Sequence, residues 1–374
     1  MNSESRYERY QRQILLKGFG EVAQEKLLRS KVLVTGAGGL GCPVLQYLAA
    51  AGVGKIGIVD DDLIALNNLH RQVLYNVNDI GLPKAEVAAK KLNQLNPGIE
   101  IDSYNLGLTN QNALEILDGY DIVVDGTDNF SSRYMINDAC VLLNKPLVYG
   151  AVSQFEGQVA VFNFKTGENK RAINYRDLFP DPPKENEVPN CAEAGVLGVL
   201  PGIIGCMQAN ETIKLIAGIG EPLIDRLLTY NALTNQVYEL KLSVNEEAGK
   251  LIPKNKTDFL NTNYDWLCSS QINDVLEINI EAFNNLLQNN NITVVDVREY
   301  GEQPSVNEFK HLQIPLSQLK EQQTMLSGNT IVAFCQTGKR SLHAVQLLKR
   351  TFNDSKKIYS LKGGILEWKK AKEK

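Results

Sequence analysis

The 374-residue chain has little histidine and no closely spaced cysteines. It holds three histidines and six cysteines, and no two cysteines form a CxxC pair. This excludes a zinc site built from Cys and His pairs, and it excludes a scaffold of paired disulfides. Scattered cysteines are typical of a reducing compartment, so we expect a cytoplasmic protein. The cysteines are Cys42, Cys140, Cys191, Cys206, Cys268 and Cys335.

The chain also lacks a long apolar run and an excess of positive charge. One uncharged stretch, residues 194–210, is interrupted by glycines and a proline, whereas a membrane helix needs about 20 mostly apolar residues. The N-terminus, MNSESRYERYQRQ, has no apolar signal core. A formal net charge of −4 excludes the basic surface of a non-specific nucleic-acid binder. We therefore expect neither a membrane nor a nucleic acid as partner.

What is present is a globular composition arranged in two α/β patterns. With 43% hydrophobic and 22% charged residues, a chain of this length predicts two or three domains. In residues 1–245, short apolar runs alternate with helical patterns, which predicts a Rossmann-like, mostly parallel sheet with helices on both faces. The strand candidates are residues 31–35, 56–60, 122–125 and 147–149, and the helix candidates are residues 40–51 and 84–95.

The chain changes character after residue 245. Residues 246–270 are polar and have no sustained period, so we predict a linker there. Residues 271–374 then repeat the β-α pattern at the size of a small α/β domain. Its strand candidates are residues 292–297 and 330–334, and its helix candidate is residues 341–348.

The sharpest local signal is a glycine-rich turn between the first strand and the first helix. Gly36, Gly38, Gly39 and Gly41 belong to GAGGLG, and backbone N–H groups at such a helix N-terminus bind phosphate oxygens. Asp60 ends the next strand, 19 residues after Gly41, where a carboxylate can bind ribose hydroxyls. By itself the pattern suits an NAD-dependent oxidoreductase as well as an ATP-binding enzyme.

Charged and amide side chains near other strand ends favour ATP. Because the carboxyl ends of parallel strands meet at one edge of a sheet, these side chains should converge. Two cations and a further carboxylate suit a triphosphate with a metal ion better than they suit a dinucleotide. The residues are Asn67, Asn68 and Arg71 after the second strand, Lys84 at a helix start, and Asp128 and Asn129 after residues 122–125.

Six stretches in order carry a family resemblance over about residues 6–245: RYERYQRQ, GAGGLGCPVLQYLAAAGVG, DDDLIALNNLHRQ, GLPKAEVA, DGTDN and PNCAEAGVLGVLPGIIG. They resemble the adenylyltransferases that activate ubiquitin-like sulfur carriers in molybdopterin and thiamine biosynthesis, relatives of the ubiquitin-activating enzymes. The resemblance implies an enzyme that uses ATP and magnesium. The implied contacts are Gly39 and Asp60 on ATP, Asn68, Arg71 and Lys84 on the triphosphate, and Asp128 on magnesium with Asn129 beside it.

Two further residues take implied roles from the same resemblance. Arg12 matches an arginine that reaches the ATP of the partner subunit, which implies a homodimer. Cys191 matches a cysteine that several relatives link covalently to the carrier. A buried cysteine with a structural role is the alternative for Cys191.

One departure from the family concerns zinc. Members of the family usually hold zinc with two CxxC pairs, and the positions of the first pair are Asn174 and Asp177 here. No second pair occurs near residues 240–255. We therefore expect no zinc in this chain.

A second candidate site is the cysteine that follows residues 330–334. Cys335 precedes a helix, so its thiolate would face a helix N-terminus and the cations Lys339 and Arg340. Both effects favour the nucleophilic thiolate. The thiol loop and the stretches VDVRE and LKGGILEW resemble rhodanese-type sulfurtransferases over about residues 275–374.

The rhodanese resemblance implies that Cys335 carries a persulfide. Amides of the loop, which contains Gly338, Lys339 and Arg340, would hold that persulfide. A phosphatase of similar fold is the alternative, but phosphatases place their arginine six residues after the cysteine. Arg340 is five residues after Cys335, and the smaller loop favours sulfur.

Together these features predict an adenylyltransferase with sulfurtransferase activity. Its substrate would be the C-terminal glycine of a small ubiquitin-like carrier ending in Gly-Gly, with the small subunit of molybdopterin synthase preferred. A cysteine desulfurase or another donor would load Cys335, and transfer to the carrier would give a thiocarboxylate. Activation of the thiamine sulfur carrier is the alternative, and an NAD-dependent oxidoreductase is more remote.

Overall fold

The computed structural model describes residues 7–165, 171–181, 195–264, 277–288, 292–322, 326–352 and 356–372. The chain divides into two compact units, Met1–Gln271 and Ile272–Lys374. Each unit is built around one sheet.

Eight strands form the sheet of the first unit. They are β1 (Lys31–Thr35), β2 (Lys55–Val59), β3 (Glu100–Tyr104), β4 (Ile122–Asp125), β5 (Leu147–Ser153), β6 (Glu156–Phe162), β7 (Arg226–Asn231) and β8 (Gln236–Lys241). Their order is β3-β2-β1-β4-β5-β6-β7-β8. The pairs from β3 to β5 are parallel, and those from β5 to β8 are antiparallel. The predicted Rossmann-like sheet is confirmed, and an antiparallel extension is added to it.

Helices pack on both faces of this sheet because its central strands are apolar at successive positions. Val32 and Val34 of β1 join one buried cluster, whereas Leu33 joins another. Within the described residues, the helices of the unit are α1 (Gln11–Ile14), α2 (Gly20–Arg29), α3 (Gly41–Ala51), α4 (Lys84–Leu95), α5 (Ala113–Asp118), α6 (Phe130–Leu143), α7 (Tyr175–Leu178), α8 (Val199–Ala217), α9 (Glu246–Gly249) and α10 (Lys256–Asn261), with short 3₁₀ turns at Leu66–Asn68 and Val77–Asp79.

The strand order places a topological switch between β1 and β4. From β1 the chain runs outward through β2 and β3, and it then returns to β4 on the other side of β1. Ligands of open α/β sheets bind outside the carboxyl ends of the strands at this point. The glycine-rich turn after β1 and the DGTDN stretch after β4 both begin there.

The long uncharged stretch belongs to α8 and contributes to the core. Leu200 and Ile204 of α8 are fully buried and pack with Val159 and Val161 of β6. Among the described residues, no helix is both long and apolar enough to span a membrane.

The second unit repeats the α/β plan with a parallel five-stranded sheet. Its strands are β9 (Glu277–Ile278), β10 (Ile292–Asp296), β11 (Leu312–Gln313), β12 (Thr330–Phe334) and β13 (Lys357–Leu361), in the order β11-β10-β12-β13-β9. Alternate residues of β12 enter two different buried clusters, so both faces are covered. The helices are α11 (Ile280–Leu287), α12 (Leu319–Gln322), α13 (Lys339–Phe352) and α14 (Gly364–Lys372), with a 3₁₀ turn at Leu316–Gln318.

The segment predicted as a linker differs from that expectation in its described part. Residues 246–264 contain α9 and α10 and pack on the first unit. Phe259 is fully buried, and the Tyr264 hydroxyl donates to Asp138 Oδ2 at 3.0 Å. Asn110 Nδ2 donates to the carbonyl oxygens of Leu260 and Thr262. The apolar residues of this segment are too sparse to show a helical period in the sequence. Phe259 and Tyr264 are nevertheless buried in the core of the first unit, against residues far away along the chain.

We predict that Phe259→Ala lowers the free energy of unfolding of the first unit by about 3–5 kcal/mol, because it opens a cavity in the core. Leu251→Ala is the matched control, since Leu251 lies in the same segment and is 48% exposed. Urea unfolding followed by fluorescence measures both changes. Equal, small effects of the two substitutions would show that the segment is a linker after all.

Candidate nucleotide and thiol sites

The glycine-rich turn after β1 packs its backbone directly against the backbone of the loop after β4. Gly36 has a φ of +91°, and a Cβ on it would lie 2.8 Å from the carbonyl oxygen of Gly126. A Cβ on Gly41 would lie 1.9 Å from the carbonyl oxygen of Gly36. The turn therefore requires glycine at both positions. No side chain caps the N-terminus of α3, so its first-turn amides face the end of β1 ready for phosphate.

Asp60 stands beside this turn at the end of β2. Its Oδ2 accepts the Ala37 amide at 2.7 Å, and its Oδ1 accepts the Asp62 amide at 2.9 Å. Burial raises the pKa of Asp60, and the nearby Lys84 charge opposes that rise. The two backbone amides thus fix the carboxylate in an orientation suited to a ribose hydroxyl.

A buried cation, Lys84, lies near Asp60, and both residues contact Asp62. The Lys84 side chain is 6% exposed, and its Nζ lies 2.7 Å from Asp62 Oδ2. The Arg71 guanidinium is anchored by the Asn67 carbonyl oxygen at 3.0 Å. Asn68 Oδ1 accepts the Ala65 amide and so fixes the 3₁₀ turn that carries these groups. Because Asp62 is 70% exposed, it can leave Lys84 when a stronger anion arrives.

The loop after β4 completes the site. Asp125 is buried and accepts the backbone amide and the hydroxyl of Thr127 at 2.9 and 2.7 Å. Burial raises the pKa of Asp125, and the Arg133 charge opposes it. Asn129 caps α6 by accepting the Ser132 amide at 2.8 Å. Asp128, which precedes it, is exposed.

These elements enclose a cavity of about 440 Å³. Its volume lies within the range of small-molecule sites. The predicted residues that line it are Gly36, Gly38, Gly39, Asp60, Asn68, Arg71, Lys84, Asp128 and Asn129.

Three of the predicted residues that the structure describes are not part of this lining. Gly41 and Asn67 are described and support it from behind, through the contacts given above. Arg12 is exposed on α1. Cys191 lies outside the described residues.

Sequence reasoning missed several lining residues. Asp62 follows β2 in a run of three aspartates, which could have identified it as a partner for a cation. Gln72 directly follows Arg71, but nothing in the sequence distinguishes it from a surface glutamine. Thr127, Ser132 and Arg133 flank the predicted Asp128 and Asn129.

The second site is the thiol loop between β12 and α13. Cys335 is 1% exposed, and its Sγ accepts the Gly338 amide at 3.2 Å and faces the Ser341 hydroxyl at 3.6 Å. The Ser341 hydroxyl lies 2.9 Å from that of Ser360 on β13. The sulfur therefore has the Gly338 amide as a donor at a helix N-terminus. The Ser341 hydroxyl is a second neighbour, and its single proton can instead go to the Gly338 carbonyl oxygen at 2.9 Å.

The expected pair of cations beside the sulfur needs one correction. The Arg340 guanidinium forms two hydrogen bonds with the Glu302 carboxylate, at 2.6 and 2.7 Å. These bonds lower the pKa of Glu302 to about 2. Glu302 therefore neutralises Arg340, a pairing across 38 residues that sequence cannot show. The Lys339 side chain lies outside the described part of the structure.

The remaining described cysteines lack this environment. Burial raises the pKa of Cys42 to about 12 and also raises the pKa values of Cys140 and Cys206. Neutral thiols of this kind behave as small apolar side chains. Cys268 lies outside the described residues.

The positions of the family zinc ligands hold a polar cluster. Asp177 is 1% exposed and pairs through both carboxylate oxygens with Arg171, at 2.7 Å each. Asp177 also accepts the backbone amides of Asn174 and Asn245 at 2.9 and 2.7 Å, and Arg171 donates to the Asn245 carbonyl oxygen at 3.0 Å. A carboxylate saturated by these donors does not fit zinc. This cluster, which we call the Asp177 clamp, joins residues 171–177 to residue 245.

The fold and the two sites define a class of protein. A cavity with a glycine turn, cations and carboxylates lies at the switch point of an α/β sheet, an arrangement that suits a nucleotide. The chain continues into a unit with a thiol loop at a helix N-terminus. The chain belongs to the ThiF family, whose model matches residues 10–250. The model of the rhodanese-like domain matches residues 279–371.

Relatives extend over both units. A probable molybdopterin-synthase adenylyltransferase from Porphyra purpurea is 40% identical over 369 residues, 97% of this chain and 92% of that protein. The probable adenylyltransferase/sulfurtransferase MoeZ from Mycobacterium tuberculosis is 37% identical over 97% of this chain and 92% of that protein. The predicted family, and an enzyme with adenylyltransferase and sulfurtransferase units, are confirmed.

Two further similarities concern the first unit. A sulfur carrier protein adenylyltransferase from Thermus thermophilus is 55% identical over 226 residues, 60% of this chain and 83% of that protein. The solved structure of E. coli MccB with MccA-N7isoASN has a TM-score of 0.56 at 22% identity, and it covers 66% of this chain and 73% of that chain. The latter likeness supports the fold alone.

We predict that the Asp177 clamp stabilises the first unit without metal. Asp177→Asn should lower its free energy of unfolding by about 2–4 kcal/mol, because it breaks a buried ion pair. Glu239→Gln, in the exposed pair with Arg226, is the control and should cost about 0–1 kcal/mol.

The same experiment includes dialysis against a zinc chelator and elemental analysis. The melting temperature should not change, and zinc should be well below one per chain. Stoichiometric zinc, or a melting temperature that falls on chelation, would contradict the clamp.

Proposed function

We propose that the first unit adenylates the C-terminal glycine of a small ubiquitin-like sulfur carrier ending in Gly-Gly, with the small subunit of molybdopterin synthase as the preferred carrier. The observation that carries this is one cavity that combines the α3 N-terminus, Asp60, Arg71, Lys84 and Asp128. The full-length relatives named for molybdopterin synthase support the choice of carrier. The similarity to the Thermus sulfur carrier enzyme supports a second candidate, a carrier of another pathway such as thiamine synthesis.

The residues of the cavity suit attack of a carboxylate on the α-phosphorus of ATP. Glycine-turn amides bind phosphate oxygens, and Asp60 binds the ribose. Arg71, Lys84 and Asn68 hold the triphosphate and offset the charge that develops as pyrophosphate leaves. No strong general base is needed, because the attacking glycine carboxylate is already ionised. Alignment of the two reactants and charge compensation provide the acceleration.

Asp128 and Asn129 suit a magnesium ion. Oxygen ligands line this part of the cavity, and magnesium usually takes one or two carboxylates together with substrate phosphates. Within the described ranges, no three His, Cys, Asp or Glu side chains are grouped to hold a metal by themselves. Bound magnesium would neutralise part of the triphosphate charge. Zinc has no place in the proposal, because the Asp177 clamp occupies its position.

The proposal includes a homodimer in the cytoplasm. Arg12 is exposed and lies outside the lining of the cavity of its own chain, as expected of a residue that serves the partner subunit. The neighbouring Leu15 and Leu16 are 70% and 59% exposed, which suits an interface. The cytoplasmic location is a prediction from the scattered cysteines.

For the second unit we propose a persulfide on Cys335. A cysteine desulfurase or another donor transfers sulfane sulfur to the thiolate, and the Gly338 amide and Ser341 hydroxyl stabilise the anion. The terminal sulfur attacks the acyl carbon of the adenylated carrier and AMP leaves, which gives an acyl disulfide between the carrier and Cys335. An external thiol then attacks the Cys335 sulfur and the S–S bond breaks, so the carrier leaves as the thiocarboxylate. A second equivalent of that thiol reduces the resulting mixed disulfide and regenerates the Cys335 thiol. A covalent link between Cys191 and the carrier remains part of the proposal.

We predict that Asp128→Ala removes most ATP–pyrophosphate exchange in the presence of the carrier, because the triphosphate loses its metal anchor. Radiolabelled pyrophosphate measures the exchange. Asp118→Ala is the control, since Asp118 ends α5 away from the cavity. Exchange at the wild-type rate in Asp128→Ala would refute the assigned role.

We predict that Cys335→Ser leaves exchange intact and abolishes sulfur transfer, since a hydroxyl cannot hold sulfane sulfur. Cys206→Ser, on α8, is the control and should retain both steps. The intact mass of the carrier measures the product, because replacing oxygen by sulfur adds about 16 Da. Thiocarboxylate formation by Cys335→Ser without an external persulfide would overturn the role of the second unit.

Cys191→Ser is tested beside these variants. Normal adenylation with poor thiocarboxylate formation would support a covalent role. Retention of both steps would show that Cys191 is structural.

A further inference from the structure

Gln72 is a polar side chain of the cavity that is almost fully buried. Gln72 follows Arg71, and its backbone is held in a turn: its amide donates to the Asn68 carbonyl oxygen at 2.9 Å, and its carbonyl oxygen accepts the Tyr75 amide at 3.1 Å. The residue is only 3% exposed, yet it lines the cavity. Nε2 lies 3.6 Å from the point where a Cβ on Gly38 would stand. Gln72 is therefore held against the phosphate-binding turn.

The amide of Gln72 is not satisfied in the free protein. Its Oε1 is buried without a hydrogen-bond partner, whereas most buried polar groups have one. An apolar side chain of the same size would fill this position without that cost. Oε1 is an acceptor and cannot bind a phosphate oxygen, but Nε2 is a donor and lies at the cavity wall beside Gly38. The amide therefore offers a hydrogen bond from Nε2 to an anion that enters the cavity.

Another buried glutamine gives a useful contrast. Gln208 also has a buried Oε1 without a partner, but its Nε2 donates to the Asp125 carbonyl oxygen at 2.7 Å and it lies outside the cavity lining. Gln208 thus serves the core by joining α8 to the end of β4. Gln72 has no such core contact to explain its amide, and it faces the glycine turn.

We propose that Gln72 binds the nucleotide, with Nε2 donating to a phosphate oxygen of ATP next to Gly38. This proposal rests on the proposed function of the first unit. A neutral donor at this point adds a directed hydrogen bond between the charged groups Arg71 and Lys84. The proposal also predicts that a carboxylate at position 72 lowers the affinity for ATP, because it would repel the phosphates.

The test compares Gln72→Met and Gln72→Glu in the full chain with wild type. Titration calorimetry with ATP and magnesium gives the dissociation constant, and thermal unfolding without nucleotide gives the stability. Gln72→Met should bind ATP about tenfold more weakly, as loss of one hydrogen bond to a charged group predicts. Its melting temperature should be equal to or above that of wild type, because the unpartnered oxygen is gone. Gln72→Glu should bind still more weakly.

Gln24→Met is the matched control. Gln24 is fully buried and donates to the Ala51 carbonyl oxygen at 3.1 Å, away from the cavity. This variant should melt at a lower temperature and keep the affinity for ATP, which separates loss of packing from loss of a ligand contact.

Affinities within twofold of wild type in both Gln72 variants would overturn the proposal, provided that wild type binds ATP and catalyses exchange. If Gln72→Met does not fold, the affinity of the isosteric Gln72→Glu for ATP is compared with wild type, and a value within twofold overturns the proposal. Absence of ATP binding by wild type would instead refute the proposed function, and the role of Gln72 with it.

Discussion

The nucleotide site depends on one close approach of two backbones. Gly36 after β1 and Gly126 after β4 lie so close that a Cβ on Gly36 would meet the Gly126 carbonyl oxygen at 2.8 Å. This contact brings the start of α3 and the loop of Asp128 to the same edge of the sheet, where the strand order reverses. Any larger residue would separate the two loops, and the phosphate-binding amides and the proposed metal ligand would no longer face one cavity.

Charge in this cavity is arranged before the nucleotide arrives. Lys84 is almost buried and is compensated by Asp62, whose carboxylate is mostly exposed. Burial of a cation without a partner would be costly, and the exposed aspartate removes that cost in the free protein. A triphosphate brings more negative charge than one carboxylate, so it can replace Asp62 beside Lys84. In the second unit Glu302 neutralises Arg340 beside the thiol loop, but there the cation is the more exposed partner, at 37% against 26%.

The Asp177 clamp shows how a polar cluster can occupy the position of a metal. Zinc in the family would join two chain segments through four thiolates, whereas here a carboxylate and a guanidinium join residues 171–177 to residue 245 by hydrogen bonds. The same region receives α10 and Tyr264, whose hydroxyl reaches the buried pair of Asp138 and Arg176. Charged and polar contacts therefore fix residues 245–264 at the described end of the first unit.

The sequence alone determined the elements whose signals are local. The strands β1, β4 and β12 and the helix α4 have their predicted bounds. The three strands are short runs of mostly apolar residues, and α4 has a helical apolar period that stops before Pro97 and Gly98. The glycine turn and the thiol loop were visible for the same reason. Only the tertiary structure decided the contacts between distant residues: Asp62 with Lys84, Glu302 with Arg340, the clamp of Asp177, and the burial of Gln72 and Phe259. Each depends on which segments the topology brings together. Even where a local run such as the three aspartates at residues 60–62 marks a candidate partner for a cation, the neighbourhood along the chain does not identify the residue that it will contact.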